Sequence, residues 1–550
     1  MPHAVLFPAL FFIQAFWFIA PGLGLTLLLR KKIRVETVYT LPVAILLSCM
    51  LGYGSFWIYL FDKSLGQMYS WVVLAGSIYL ILVSYLRRST LSNSHRFDIL
   101  APLILWLAVG FFYTSLTFGC RTQPIVSQPD QFCFVHNITF DNALPKLFAD
   151  NVFDGQPKAL LGDWHGSDRP PLQSGLVLLE SPLTEHSATG IMSYQVLATL
   201  LQVLWVPLIW LLGRRLNLKN QQLAAVFILC IFSGFFFFNS VFTWPKLLAA
   251  SLAGIGFSLL VFERARWHQW LLGMAAIACG LLAHSGVAFA LLPLVVLLLR
   301  KRYFPGWKIL LLSSLVFLAL FSPWFLYQHV YDPPGDRLLK WEVAGVTRID
   351  DRSFSKALVD SYSRAGLGDT AKNKLNNFTT IFYAPDGDNH LYGQGKLGTW
   401  RDMEFRFVFF GLGILNLGWF GILFPKFRNH LNESGIDASR LRLVLGISAV
   451  AVGLWIFILF GPGSTIIHGG SYLTMTFLFI SLAAIISTFP KALLRTILLV
   501  RILYFALVWI LAVYLHHFIS KTFLLLSIVA GLLISYSLIK LYSSPDVNEK

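Results

Sequence analysis

The chain has 550 residues, of which 56% are hydrophobic and 13% are charged, and its mean hydropathy is +0.67. Because soluble domains carry about 25% charged residues, this composition excludes an ordinary soluble protein. Apolar runs of about 20 residues recur along the whole chain, which excludes a single-span receptor and a secreted enzyme. The formal net charge of +16 fits a polytopic membrane protein whose surplus Lys and Arg collect in cytoplasmic loops, and does not indicate a nucleic-acid-binding surface.

The apolar segments predict an all-α polytopic membrane protein of about 13–15 spans with two long loops. The predicted spans are residues 5–29, 39–61, 69–86, 98–118, 191–213, 221–238, 245–262, 268–283, 286–299, 308–327, 404–424, 443–461, 471–488, 493–514 and 522–541. The chain thereby divides into N-terminal transmembrane helices (1–118), a first external loop (119–190), central transmembrane helices (191–327), a second external loop (328–403) and C-terminal transmembrane helices (404–550). The stretch 268–299 is either two short helices broken at His284 or one kinked segment.

Positive charge is concentrated in every second connection and orients the predicted bundle. These basic connections lie at residues 30–34, 87–96, 214–219, 264–266, 300–308, 426–442 and 491–495, whereas the short connections between them hold only Lys63, Lys246 and Lys521. Cytoplasmic loops are enriched in Lys and Arg, so we expect the basic connections to face the cytoplasm and both long loops to face the opposite side. The N-terminus is then external and the C-terminus internal. We expect the first apolar run to act as a span and not as a cleaved signal peptide.

Ionisable residues are essentially missing from the middles of the predicted spans. Ion-coupled transporters place such residues there, so the chemistry is predicted at the external membrane surface instead. Cys49, Cys230 and Cys279 fall in apolar spans and are predicted to pack in the core. Cys120 and Cys133 share the first external loop, where spacing alone leaves a disulfide open.

The first external loop contains an amphipathic segment, TFDNALPKLFADNV, at residues 139–152. Its apolar residues recur at intervals of three and four, which predicts a short helix lying in the membrane interface. Pro145 fits near a first helical turn. Asp141, at the start of this segment, is compatible with a helix cap or a first-turn acid favoured by the helix dipole, and equally with a catalytic carboxylate.

Further along the same loop, residues 162–175 read GDWHGSDRPPLQSG. Asp168 and Arg169 precede two prolines directly before the next span, and such prolines can hold polar groups at a fixed height above the bilayer. A structural turn with a local ion pair between Asp168 and Arg169 explains the pattern equally well.

These two motifs resemble the GT-C glycosyltransferases, integral membrane enzymes that use polyprenyl-phosphate sugars. In that family an Asp opens the first external loop before an interfacial helix, like Asp141 with Asn142 here, and a basic-Pro-Pro-Leu element follows, like residues 169–172. The likeness is to the lipid-A aminoarabinose, protein O-mannosyl and arabinofuranosyl branches, over residues 98–330. Two features depart from the family pattern: the loop follows the fourth predicted span instead of the first, and an amide, Asn142, stands where many members have a second acid.

The resemblance implies the inverting transfer of one sugar from a polyprenyl-phosphate donor to a lipid, an envelope glycan or a protein such as pilin. It implies Asp141 as the general base, with Asp163 or Asp168 as a second carboxylate. The departing phosphate needs cations, for which the candidates are Arg169, Lys158, Lys246, His284 and His468. A divalent metal ion is left open. The implied location is a bacterial inner membrane, with the active site facing the periplasm and no nucleic-acid partner.

Two other classes share parts of this pattern. A lipid-linked glycan flippase or transporter has the same length and hydropathy, but it predicts charged residues lining a central cavity. An enzyme like the O-antigen ligases also has long external loops, but its signature is expected in a late loop instead of before the fifth span.

Overall fold

The fold is described from a computed structural model covering residues 2–33, 36–86, 93–121, 140–184, 190–263, 266–382, 395–405, 411–461, 472–511, 514 and 518–545. In chain order, helices α1 to α24 of these residues are Pro2–Ile33, Thr40–Phe61, Lys63–Leu86, Asn93–Gly119, Leu144–Phe153, Leu172–Leu179, Ser181–Thr184, Gly190–Gln202, Trp205–Arg215, Asn220–Ile231, Gly234–Val241, Lys246–Val261, Trp267–Ala283, Ala288–Leu298, Trp307–Leu326, Arg337–Ala344, Phe354–Phe382, Gly395–Asp402, Gly418–Gly421, Pro425–Glu433, Ala438–Ile458, Tyr472–Ile486, Lys491–Phe505 and Lys521–Ser543.

Shorter elements connect these helices. The 3₁₀ segments are Thr37–Tyr39, Phe140–Asn142, Gly166–Asp168, Ser285–Val287, Met403–Phe405 and Gly413–Leu417, and π-helical turns occupy Tyr327–Tyr331 and Ala506–Leu511. Strands β1 to β4 are Cys120–Arg121, Ala159–Leu161, Trp164–His165 and Phe518–Ile519, where β1 pairs with β4 and β2 with β3, both antiparallel. The backbone of α17 departs from helical geometry at Gly366.

The helices confirm an all-α polytopic membrane protein. In the described part of the chain, nine helices are long and apolar enough to cross a membrane, and a tenth candidate is the pair α10 and α11, which bends by 58°. The apolar segments 246–261, 267–283, 285–298 and 472–486 coincide with predicted spans but have only 10–17 residues, fewer than the roughly 20 that a perpendicular crossing needs. His284 marks a break between two short helices, as one of the two alternatives predicted.

The predicted span 404–424 is wrong where the structure describes it. Those residues form two 3₁₀ segments and the four-residue helix α19. Gly411 and Gly413 have φ of 67° and 51°, a left-handed conformation that interrupts a right-handed helix. Apolar composition alone did not reveal this interruption.

The connections between helices fall into two groups according to which of them contact one another. These are the two groups that charge alternation predicts. On one side, Arg215 pairs with Glu36 and Glu263, and Asp437 N donates to the carbonyl of Leu216. On the other side, β1 pairs with β4, and the two long loops are joined by an ion pair of 3.0 Å between Arg337 and Asp163. The grouping agrees with the predicted topology, while the cytoplasmic identity of the basic side depends on the positive-inside argument.

One ionisable pair lies inside the bundle, contrary to the sequence expectation. Arg501, in the middle of α23, is 1% exposed and donates to Glu404 Oε2 at 3.2 Å. Glu404 also accepts the backbone N–H of Phe235 at 3.0 Å, at the start of α11. The prediction failed because Arg501, which lies within the predicted span 493–514, was overlooked, and because Glu404 was placed at the edge of the predicted span 404–424.

The predicted amphipathic helix of the first loop is present as the 3₁₀ segment Phe140–Asn142 followed by α5, with Pro145 in its first turn. Its apolar stripe packs against protein instead of lipid. The Phe148 ring, fully buried, contacts Phe56, Trp324 and Tyr327. The helix therefore forms part of the end of the bundle that carries the two long loops. Cys49, Cys230 and Cys279 are free and buried, as predicted, and Cys133 lies outside the described residues.

Candidate active site

Asp141 lies in the 3₁₀ segment before α5 and pairs with Arg169 from the second motif. Arg169 Nη2 donates to Asp141 Oδ1 at 2.7 Å, and the two side chains are 17% and 10% exposed. The N-cap of α5 is Ala143, so Asp141 does not cap this helix; it is a first-turn acid of the 3₁₀ segment Phe140–Asn142, as the non-catalytic alternative predicted. The ion pair of Arg169 joins the two motifs, separated by 28 residues, instead of linking Arg169 to its neighbour Asp168.

The second motif is held by a tight turn at residues 165–169. Asp168, 5% exposed, accepts the backbone N–H of His165 at 2.9 Å. Burial raises the pKa of the Asp168 carboxyl, although this hydrogen bond and the nearby Arg337 and Arg169 act in the opposite direction. Asp332 adds two bonds of 2.9 Å, to His165 Nδ1 and to the backbone N–H of Ser167. Asp168 therefore shapes the turn that presents Arg169.

Gly175, four residues after Pro171, lets α6 pack closely on α2. A Cβ atom at Gly175 would lie 2.3 Å from the carbonyl oxygen of Gly52, closer than nonbonded atoms tolerate. The prolines and this glycine together fix Arg169 relative to the bundle. The LQSG part of the motif is thus explained by helix packing.

Lys246 faces the same region from the turn between α11 and α12. It is 3% exposed, and its Nζ lies 3.3 Å from the centroid of the Trp244 ring and 4.8 Å from that of Tyr472. Burial lowers the pKa of Lys246 well below its ordinary range, and Arg169 acts in the same direction, whereas the nearby Asp141 and Glu342 act to raise it. Thr243 in this turn has φ of 61°, a strained conformation for a β-branched residue.

A buried network of glutamines supports this strained turn. Gln173 Nε2 donates to the carbonyl of Thr243 at 3.0 Å, and Gln202 Nε2 donates to Gln173 Oε1 at 2.9 Å. The Thr243 and Tyr194 hydroxyls both donate to the backbone carbonyl of Asn142, beside Asp141. The network therefore fixes Lys246 and Asp141 relative to each other.

His284 and Glu342 complete the cluster. The His284 and Trp244 rings lie 5.7 Å apart, and His284 Nδ1 accepts the backbone N–H of Gly286 at 3.0 Å, which leaves Nε2 as the protonated nitrogen of a neutral ring. Glu342, on α16 in the second loop, was missed by sequence reasoning. Burial raises its pKa to about 7, while Lys246 and Arg169 act to lower it. Its position between Trp341 and Val343 is the one local signal of an acid in an apolar setting.

Residues 168–327 match the family model described as dolichyl-phosphate-mannose-protein mannosyltransferase. The match begins at Asp168 and includes Arg169, Lys246 and His284. Over these residues the chain is similar to a family of the GT-C superfamily of polyprenyl-phosphate-sugar membrane glycosyltransferases. No curated protein and no solved structure matches it. Asp141 and Glu342 lie outside the matched residues, so their assignment depends on the geometry described above.

The remaining predicted residues of the glycosyltransferase lie around this cluster. Asp163 pairs with Arg337 and is half exposed, and the Arg337 guanidinium lies 3.8 Å from the Trp164 ring centroid. Arg169 stacks on the same indole at 4.9 Å. Lys158 is exposed, with Nζ 4.7 Å from the Tyr331 ring centroid. His468 lies outside the described residues.

The described residues of the glycosyltransferase contain no group of three or more His, Cys, Asp or Glu side chains that could hold a metal ion. Beside Asp141, the countercharge is the Arg169 guanidinium. The donor set that a divalent cation requires is therefore not assembled in the described part of the site.

Proposed function

We propose that the glycosyltransferase moves one sugar from a polyprenyl-phosphate donor to an acceptor hydroxyl on the external, periplasmic face of a bacterial inner membrane. The acceptor oxygen bonds to the anomeric carbon as the bond from that carbon to the phosphate oxygen breaks. Asp141 takes the hydroxyl proton, and the lipid phosphate leaves with the bonding electron pair. Attack opposite the leaving group inverts the anomeric centre.

The observation that carries this proposal is the pairing of Asp141 with Arg169 beside Lys246. General-base catalysis needs a carboxylate held in one place, and the bond of 2.7 Å to Arg169 supplies that restraint. Phosphate departure needs positive charge, which Arg169 supplies. Lys246 approaches from a different connection, and a bound donor phosphate would favour its protonated form.

Arg169 also has hydrogen-bonding capacity for a phosphate oxygen. Its Nε is buried and has no hydrogen-bond partner among the described residues. A buried N–H without an acceptor is unfavourable, and a donor phosphate oxygen would satisfy it. The guanidinium can thus contact Asp141 through Nη2 and the leaving group through Nε.

The decisive test replaces the proposed base with an isosteric amide, Asp141→Asn. General-base catalysis contributes roughly 10²–10⁴-fold, so the rate of sugar transfer should fall by about that factor. Because Arg169 and Lys246 remain, binding of a polyprenyl phosphate should be retained. Both are measured with the full-length protein in lipid nanodiscs, using radiolabelled polyprenyl-phosphate sugars and envelope extract as the acceptor source.

Asp369→Asn is the matched control, since Asp369 is exposed on α17. This variant should transfer sugar at the wild-type rate. Unchanged transfer by Asp141→Asn would overturn the base assignment. Loss of polyprenyl-phosphate binding by the same variant would show that Asp141 acts on donor binding instead of on proton transfer.

A further inference from the structure

A cavity of about 370 Å³ lies beside α5. Its walls come from α5, the end of α6 and the start of α8, and Gln14 of α1 lies in its lining. This volume is within the range of small-ligand pockets and is enough for a monosaccharide-sized group. None of the cationic residues assigned to the donor phosphate is in its lining.

The cavity is linked to the proposed base through Tyr194. The Tyr194 side chain lines the cavity, and its hydroxyl donates to the backbone carbonyl of Asn142, the residue after Asp141. A group held in the cavity therefore lies beside the segment that carries the base. Arg169 and Lys246 reach the same segment from the donor side.

The lining is rich in carboxyl groups. Asp150, Asp154 and Glu180 contribute three carboxyl groups, against the single ammonium of Lys146. Lys146 is already bound to Asp150, at 2.6 Å. Burial raises the pKa of Glu180 well above its ordinary range, although a hydrogen bond with Gln14 acts to lower it. A bound cation would stabilise the ionised form of this carboxyl.

Gln14 gives an independent indication of a hydrogen-bond donor in the cavity. The side chain is fully buried, and its Nε2 donates to the Ser193 carbonyl at 3.1 Å and to the Ser193 hydroxyl at 2.7 Å. Its Oε1 has no hydrogen-bond partner among the described residues. Because an unsatisfied buried carbonyl is costly, this oxygen favours a ligand that brings an N–H group.

We infer that this cavity binds a primary ammonium group of the acceptor substrate, with Glu180 supplying the countercharge and Gln14 Oε1 accepting one N–H. The acceptor assignment rests on the proposed function, whereas the ammonium site rests on the cavity alone. An ammonium group has three donors and one positive charge, which matches a lining of carboxylates and an unsatisfied amide oxygen. A neutral sugar hydroxyl would match the shape but not the charge.

The test compares glucosamine with glucose, which differ by one ammonium in place of one hydroxyl. Binding to the full-length protein in nanodiscs is measured by saturation-transfer NMR titration. Glucosamine should bind at least about tenfold more tightly than glucose, the ratio expected for one charge-assisted hydrogen bond. Glu180→Gln should remove this preference, whereas Glu433→Gln, at an exposed position on α20, should keep it.

Binding of a polyprenyl phosphate shows whether each variant is correctly folded. Competition between it and glucosamine shows whether the cavity is separate from the donor site. Bound glucosamine should not displace a polyprenyl phosphate, and displacement would overturn the acceptor assignment. Equal binding of glucose and glucosamine, or a preference that Glu180→Gln leaves intact, would overturn the ammonium site. If Glu180→Gln fails to fold, Gln14→Leu decides, because it should weaken glucosamine binding and leave glucose binding unchanged.

Failure of the proposed function gives a different result. If no polyprenyl-phosphate sugar is transferred but glucosamine still binds selectively, the reaction is wrong and the ammonium site stands. If transfer occurs but glucosamine does not bind selectively, the reaction stands and the acceptor class is wrong.

Discussion

Two regions of opposite charge meet at the short segment Phe140–Asn142. On one side Arg169 and Lys246 present positive charge, framed by Trp164 and Trp244. On the other side the cavity presents Asp150, Asp154 and Glu180. Both regions contact the backbone carbonyl of Asn142. The Tyr194 hydroxyl donates to it from the cavity, and the Thr243 hydroxyl donates to it from the turn before Lys246. We therefore expect charge to set substrate placement, with an anionic donor attracted to one side and repelled by the other.

The largest expected effect is that of Arg169→Met, which should impair sugar transfer and leave the cavity unaffected. Removing the guanidinium takes away the partner of Asp141 and a contact to the departing phosphate, so kcat for sugar transfer should fall about 100-fold. Glucosamine binding on the opposite side should not change. Arg348→Met, at an exposed position of the second loop, is the matched control, and a loss of glucosamine binding in Arg169→Met would show that the two regions are not separate.

A smaller, pH-dependent effect is expected from Glu342. Its pKa of about 7 means that it becomes negatively charged as the pH rises through neutrality. A donor phosphodiester keeps its single negative charge there, so the added charge should weaken donor binding and raise KM for the donor roughly fivefold above pH 7.

Glu342→Gln should make the KM for the donor independent of pH across this interval, and steady-state kinetics at several pH values measures it. Glu433→Gln should keep the wild-type profile. A wild-type KM that falls as the pH rises would contradict the sign of this argument.

The smallest effect is expected from Trp164→Leu, which removes the indole beneath Arg169 and Arg337. Exposed cation–π contacts contribute about 0.5–1 kcal/mol each, so transfer should fall roughly twofold to fivefold through loosened positioning of Arg169. The exposed Trp267→Leu is the control. A loss as large as that of Arg169→Met would show that Trp164 contacts substrate directly.

The fold and one part of the site could be predicted from local sequence. Runs of apolar residues revealed most helices, and charge alternation grouped the connections, because both properties are set within a few residues. Asp141 and Arg169 were identified by motifs, and the structure places them 2.7 Å apart. Their catalytic roles stay predictions.

The rest depended on long-range contacts or on backbone geometry. Glu342 reaches Lys246 from a different loop, and no spacing rule connects them. Left-handed glycines interrupt the apolar segment that was predicted to be a span at 404–424. The apolar stripe of α5 indicated a lipid-facing helix, because a hydrophobic stripe is the same whether lipid or protein covers it.

The buried pair of Glu404 and Arg501 has a consequence for biosynthesis. Glu404 is made 97 residues before Arg501, so α23 cannot supply its countercharge when the segment Met403–Phe405 first leaves the ribosome. A lone carboxylate in an apolar core is strongly unfavourable, and this segment therefore settles between the helices only after α23 has been inserted. The second long loop ends at this segment, so the end of that loop is fixed late in assembly, and a chain that terminates before Arg501 lacks the charge that holds it.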